Sequence, residues 1–207
     1  MKQRSIKAIH PADEAHMPGL QTWRAMPTRR VEFLDPFLFL NHHGPQQFPE
    51  NNQGLPFGPH PHRGFETLTY ILEGELIHED TTGYKSRILE GGVQWMTAGS
   101  GLLHSETSSE AFLKTGGKME LIQLWLNLPS HLKMTEPDYR GLQKDELVHF
   151  EAATGVIVHL ISGSMHDHHG PVDSITGLTM SWIDIEKDAE FELEVAGNKE
   201  ILCYVTN

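Results

Sequence analysis

GPHPHRGFETLTYILEGE, residues 58–75, opens with two histidines one residue apart and runs on into ETLTYILE, an apolar and β-branched stretch that a Gly-containing turn ends. On extended backbone, side chains two residues apart leave the strand on one face, so His60 and His62 point the same way. GGVQWMTAGSGLLHSE, residues 91–106, repeats the device: an apolar run, a Gly-rich turn, then His104 and Glu106 at the same spacing. If the two strands face each other across a barrel, three imidazoles and one carboxylate converge.

The rest of the chain has the same punctuation. GELIHED, YKSRILE, VQWMTAG, MELIQLWLNL, GVIVHLISG, GLTMSWIDI, FELEVAG and EILCYV are short β-rich runs between turn residues, with no sustained 3.6-residue period. The class is all-β. In MELIQLWLNL both faces are fairly apolar, which places that strand inside a sandwich or barrel. Leu128 to Leu147, LPSHLKMTEPDYRGLQKDEL, has two prolines, many charges and no strand period, and reads as a linker. The expected division is a metal-binding barrel over residues 1–135, then a linker and a partial barrel over residues 136–207. EILCYVTN ends on an apparent buried strand, so the second unit is expected to be very small or cut short.

A chain of 207 residues can hold one good core and most of a second. A formal net charge of −12 argues against direct nucleic-acid or anionic-membrane binding, which depends on Lys and Arg. The single cysteine, Cys203, excludes an internal disulfide and a thiolate cage, and suits a reducing compartment. No signal-like or membrane-spanning run is present, so a soluble cytoplasmic protein is expected.

Three neutral nitrogens and a carboxylate oxygen, with room left for water or substrate, suit one divalent Fe, Mn, Ni, Cu or Zn ion per chain, and no sulfur favours a soft metal. The competing reading is a turn with two solvated histidines and a polar strand end. Either pair alone is a weak signal; the two together favour a metal.

These residues carry a resemblance. HPHRGFETLTYILEGE is similar to the first motif of the pirin family in the cupin superfamily, VQWMTAGSGLLHSE to its second, and LWLNLPSHLKMTEPDYR to the stretch that follows. DPFLFLNHHGP, residues 35–45, is similar to the family's N-terminal segment, and the likeness covers at least Arg24 to Arg140. It implies a double-stranded β-helix barrel, usually two in tandem, here with an incomplete C-terminal barrel. It also implies Fe(II) held by His60, His62, His104 and Glu106. Many cupins instead take a glutamate four residues after HxH, which here is Glu66. Glu66 therefore stands as a rival ligand, or as a carboxylate that orients a ligand imidazole.

The remaining histidines have blander readings. His166, His168 and His169 sit in a Gly, Pro and Asp flanked loop, His42 and His43 precede a Gly-Pro turn that approaches the pocket, and His78 and His159 are strand residues, packed or at the surface. Trp95 and Met96 read as barrel core. The resemblance implies a quercetin 2,3-cleaving dioxygenase acting on a flavonol, with Glu106 as ligand and candidate base. It also implies an alternative: an iron-dependent, redox-responsive regulator that binds a protein partner without turnover. Association of chains through the open C-terminal part is a further expectation.

Overall fold

The computed structural model describes residues 5–195, 197 and 199–206. In chain order its elements are β1 (Asp13–Glu14), β2 (Thr22–Met26), β3 (Phe37–Phe48), β4 (Phe57–His62), β5 (Phe65–Glu73), β6 (Glu75–Asp80), β7 (Lys85–Leu89), β8 (Val93–Thr97) and β9 (Leu102–Thr107). The short helix α1 (Glu110–Thr115) follows, then β10 (Gly117–Asn127), β11 (Asp138–Leu142), β12 (Val148–Ala153), β13 (Val156–Ser162), β14 (Ser164–Met165), β15 (His168–His169) and β16 (Met180–Ile185). The fold is nearly all-β, as the runs of β-branched residues between glycines demand.

Two antiparallel sheets form the N-terminal sandwich. One has seven strands in the order β1-β2-β3-β10-β5-β8-β11, and the other has four in the order β4-β9-β6-β7. Leu20, Phe48, Leu55, Ile71, Leu76, Ile88, Phe112, Met119 and Leu121 fill one end of the space between them. Each such side chain, taken fully out of water, contributes about 1.5–3 kcal/mol. The turn from β5 into β6 depends on Gly74, whose φ is 88° and where an added Cβ would lie 2.6 Å from the Lys118 carbonyl oxygen.

The outer face of the larger sheet is covered as well. Leu68, Tyr70, Trp95 and Leu124 share a core with Ile161 and Val172, with Met180, Trp182, Leu202 and Tyr204 packed on it. The Tyr70 and Trp182 rings stack at 5.1 Å. The apolar character of β10 on both faces follows: it lies between β3 and β5, with one side toward the smaller sheet and the other toward the C-terminal part.

That C-terminal part is an open three-stranded sheet, β12-β13-β16, beside the small β14-β15 pair. Two expected strands do not form. Phe191 to Val195 and residues 200–205 have no ladder partner among the described residues, and Ala196 lies outside those residues, as does the terminal Asn207. A strand needs a neighbour for its backbone groups; these segments bury side chains instead, Phe191 against the Val158 cluster and Leu202 and Tyr204 against the larger sheet. The stretch read as a linker holds β11, which pairs with β8 in the register Tyr139↔Met96. Its alternation was hidden by the prolines and charges around it.

Candidate metal centre

His60 and His62 lie on β4, and His104 and Glu106 on β9. The two strands are hydrogen-bonded neighbours in one sheet, with His60 opposite His104 and Phe57 opposite Glu106. They do not face each other across a barrel, as the sequence reading supposed. Directly opposed residues of an antiparallel pair have Cβ atoms only about 5 Å apart, which is close enough for two imidazoles to share one ion.

The donor atoms of His60, His62 and His104 all lie within 4.8 Å of one another. His60 Nε2 and His104 Nε2 are 3.0 Å apart. Two nitrogens held at a right angle about 2.1 Å from one ion would be separated by about 3.0 Å. The hydrogen bonds around these rings are compatible with the tautomers that a cation needs. His60 Nδ1 donates to the Gly58 carbonyl at 2.7 Å, which leaves Nε2 bare in the neutral ring. His78 Nε2 donates a hydrogen bond to Asp80 Oδ2 at 2.9 Å. His78 Nδ1 is therefore free to accept, and it lies 3.4 Å from His104 Nδ1; the His104 tautomer that donates to it leaves Nε2 bare too. Two lone pairs then point at each other, an arrangement that a cation between them relieves. Burial, then the charge of His60, pushes the His62 imidazole down to about 4. Burial and the neighbouring histidines push His104 down to about 2. Both rings are thus neutral and able to ligate at ordinary pH.

Glu106 lies beside this trio, not within it. It is 1% exposed. Thr69 Oγ1 donates to its Oε1 at 3.1 Å and Gln123 Nε2 to its Oε2 at 2.8 Å. Gln94 Nε2 also donates to Oε1. Burial pushes its carboxyl up, and these donors together with the charge of His60 only partly oppose that. A buried carboxylate ringed by neutral donors lacks a full counter-charge, and a divalent cation at the adjacent imidazoles would supply one. The donor set and the spacing both fit a transition metal.

Glu66 is elsewhere. The chain turns at Gly64, φ 78°, between β4 and β5, so strand parity counted from His62 does not carry into β5. Glu66 packs on the outer face of the larger sheet, where Trp95 Nε1 donates to its Oε1 at 3.0 Å and Thr97 Oγ1 at 2.7 Å. Among the described residues it bonds to no imidazole, so it does not orient a ligand ring. The other histidines also find local partners. His43 Nδ1 meets Thr22 Oγ1 at 2.8 Å, His42 Nε2 meets Glu120 at 2.7 Å, and His168 stacks on Phe150 at 4.1 Å.

The residues that hold Glu106 are not among the site residues expected from the sequence. Gln123, Thr69 and Gln94 form one row across the larger sheet, through the registers Gln123↔Thr69 and Thr69↔Gln94. The available signal was a glutamine inside each of two apolar strands, VQWMT and LIQLWL, where a polar side chain must find a partner. His78, expected as a packed or surface imidazole, is followed by Asp80 at the same two-residue spacing as the other pairs. Next to His62, the Trp125 ring meets it edge-on at 5.2 Å and stacks with Phe39 at 4.5 Å and Phe65 at 4.9 Å. Trp125 Nε1 and Asn41 Nδ2 are buried donors with no hydrogen-bond partner among the described residues.

The family model described as Pirin matches residues 19–126. PA2418 of Pseudomonas aeruginosa, provisionally named a quercetin 2,3-dioxygenase, is 46% identical over 176 residues, covering 84% of this chain and 60% of its own. A pirin-like protein of Caulobacter vibrioides is 41% identical over 159 residues, covering 77% of this chain and 55% of its own. The crystal structure of a quercetin 2,3-dioxygenase from Acinetobacter baumannii superposes with a TM-score of 0.71 at 33% identity, covering 80% of this chain and 53% of the other. The chain thus spans a little over half the length of the curated relatives it matches.

Proposed function

The chain belongs to the pirin family of cupin-fold proteins, and from that membership we propose that it is a metal-dependent dioxygenase of flavonols such as quercetin. Its ion is a single divalent transition metal, Fe(II) before Zn, Mn, Ni or Cu, held by His60, His62, His104 and Glu106. The observation that carries the reading is the cluster of His60, His62 and His104, whose donor atoms all lie within 4.8 Å of one another, with His60 Nε2 and His104 Nε2 3.0 Å apart. In the proposed reaction the flavonol's 2,3 carbon–carbon bond breaks, both atoms of dioxygen enter the products, and the flavonol supplies the electrons.

When bound, such an ion supplies the Lewis acidity and redox chemistry that side chains lack. The protein's part is to orient and to move a proton. Glu106 is the candidate base for the flavonol hydroxyl, since its oxygens are held in place by Thr69, Gln94 and Gln123. Phe39, Trp125 and Phe65 form an aromatic wall against His62 that suits a flat ring system. The unpartnered Trp125 Nε1 and Asn41 Nδ2 are donors suited to ligand oxygens. His60, the least buried of the three imidazoles, marks the solvent side.

The test is oxygen consumption by iron-loaded protein with quercetin, with metal content measured alongside. Uptake that requires both metal and flavonol, and that falls by at least about 100-fold in Glu106→Gln at equal metal content, is the expected result. No uptake by fully loaded protein with any of several flavonols would overturn the assignment.

A further inference from the structure

We infer that Tyr139, on β11, is the positioning residue that braces the His104 and Glu106 half of the metal site. The inference rests on the ligand assignment proposed above. Tyr139 is 5% exposed and lies on the inner face of the larger sheet, opposite Met96. From there it reaches the two proposed β9 ligands by separate routes.

The first route runs through its ring. Tyr139 stacks on His78 with centroids 3.9 Å apart and planes 12° from parallel. His78 in turn accepts from His104 and donates to Asp80. Asp80 and His104 hold the edge of the His78 ring, and the Tyr139 face fixes its plane. Rotation of His78 out of that plane would break the Asp80–His78–His104 chain and remove the acceptor that keeps the proton on His104 Nδ1. His104 Nε2 would then no longer be held bare toward His60. Partners of this kind, hydrogen-bonded to a ligating imidazole, set its tautomer and its basicity.

The second route runs through the hydroxyl. Tyr139 Oη lies 2.5 Å from Ser86 Oγ and makes a long 3.4 Å contact to Gln94 Oε1. Gln94 Nε2 points the other way, to Glu106 and to Thr69 Oγ1. A carboxamide can be reversed with little change of shape. A phenolic donor on the oxygen end selects the orientation that presents N–H to the Glu106 carboxylate; the reverse would set two oxygens against each other. The strand that supplies Tyr139 comes after both histidine motifs, so the site needs chain well beyond His104 and Glu106.

The experiment uses the full chain loaded with Co(II), whose visible spectrum reports ligand geometry. The spectrum, the rate of metal release to excess chelator and the melting temperature of the metal-free protein are measured for Tyr139→Leu, Tyr139→Phe, His104→Ala and Glu106→Gln. Tyr139→Leu removes both routes and should speed metal release by about 10- to 100-fold, with an altered Co(II) spectrum. Tyr139→Phe keeps the stack and loses only the hydroxyl, so it should fall between Leu and wild type, and it carries the test if the Leu variant does not fold. Wild-type spectra and release rates in both Tyr139 variants would overturn the brace even if their melting temperatures drop, provided His104→Ala and Glu106→Gln change the spectrum. A wild-type spectrum in His104→Ala and Glu106→Gln would overturn the ligand assignment itself, and the brace with it.

Discussion

Two glutamates competed in the sequence for one role, and substituting each by glutamine separates them. Glu66 is 1% exposed, its Oε1 accepts from Trp95 and Thr97, and its buried Oε2 has no hydrogen-bond partner among the described residues. Burial raises its carboxyl above the usual 4.5, against the pull of those two donors. A raised carboxyl is favourable to the fold below its unfolded value and loses that contribution as pH climbs through its folded value. Glutamine keeps the shape and the acceptor but never ionises. The metal-free Glu66→Gln variant should therefore match wild type within about 1 kcal/mol near pH 4. Above pH 4.5 it should gain on wild type by about 1.4 kcal/mol for each unit by which the folded carboxyl is raised. Urea denaturation at pH 4 and pH 8 measures this. Metal content is the paired readout, with Glu66→Gln binding like wild type and Glu106→Gln binding weakly. If Glu66→Gln sheds its metal as Glu106→Gln does, or if its stability follows pH as wild type does, the placement of Glu66 outside the site is refuted.

Other outcomes follow from the same residues. His62 sits at about 4 when folded against 6.5 when free, so the unfolded chain takes up a proton that the folded one resists, and stability is lost as pH falls through that window. Relative to His62→Gln, metal-free wild type should lose about 2 kcal/mol between pH 6.5 and pH 4.5, measured by urea melts. Ile71 is fully buried between the sheets, and Ile71→Ala should cost about 2–5 kcal/mol by the same assay, with the three imidazoles still competent to bind metal. Ser109 accepts from the Phe112 amide at the start of α1, and Ser109→Ala should cost about 1 kcal/mol with no change in metal release.

The all-β class and the two same-face pairs were legible because both rest on a period of two, which a single strand displays. What was not legible depends on register. Nothing in HPH or HSE says that His60 sits opposite His104 on a neighbouring strand, since pairing is settled by ladders that join distant segments. The same limit misplaced Glu66, because one glycine turn between β4 and β5 resets the face. It also concealed the Gln123, Thr69 and Gln94 row, whose members are far apart in sequence and adjacent only in the sheet. Tyr139 was hidden differently, in a stretch whose prolines and charges masked a five-residue strand. FELEVAG and EILCYV failed in the opposite direction: their pattern is that of strands, but without a neighbouring strand the pattern yields only packed side chains.

His60, His62, His104 and Glu106 are proposed to hold one ion. Elemental analysis of wild type and of the His62→Ala, His104→Ala double variant, loaded in parallel with Fe(II) without oxygen and then desalted, tests it most directly. Circular dichroism confirms that both are folded. One metal per wild-type chain and almost none in the folded double variant is the expected result. Full metal content in that variant would contradict it, because two of the four proposed ligands would then be dispensable.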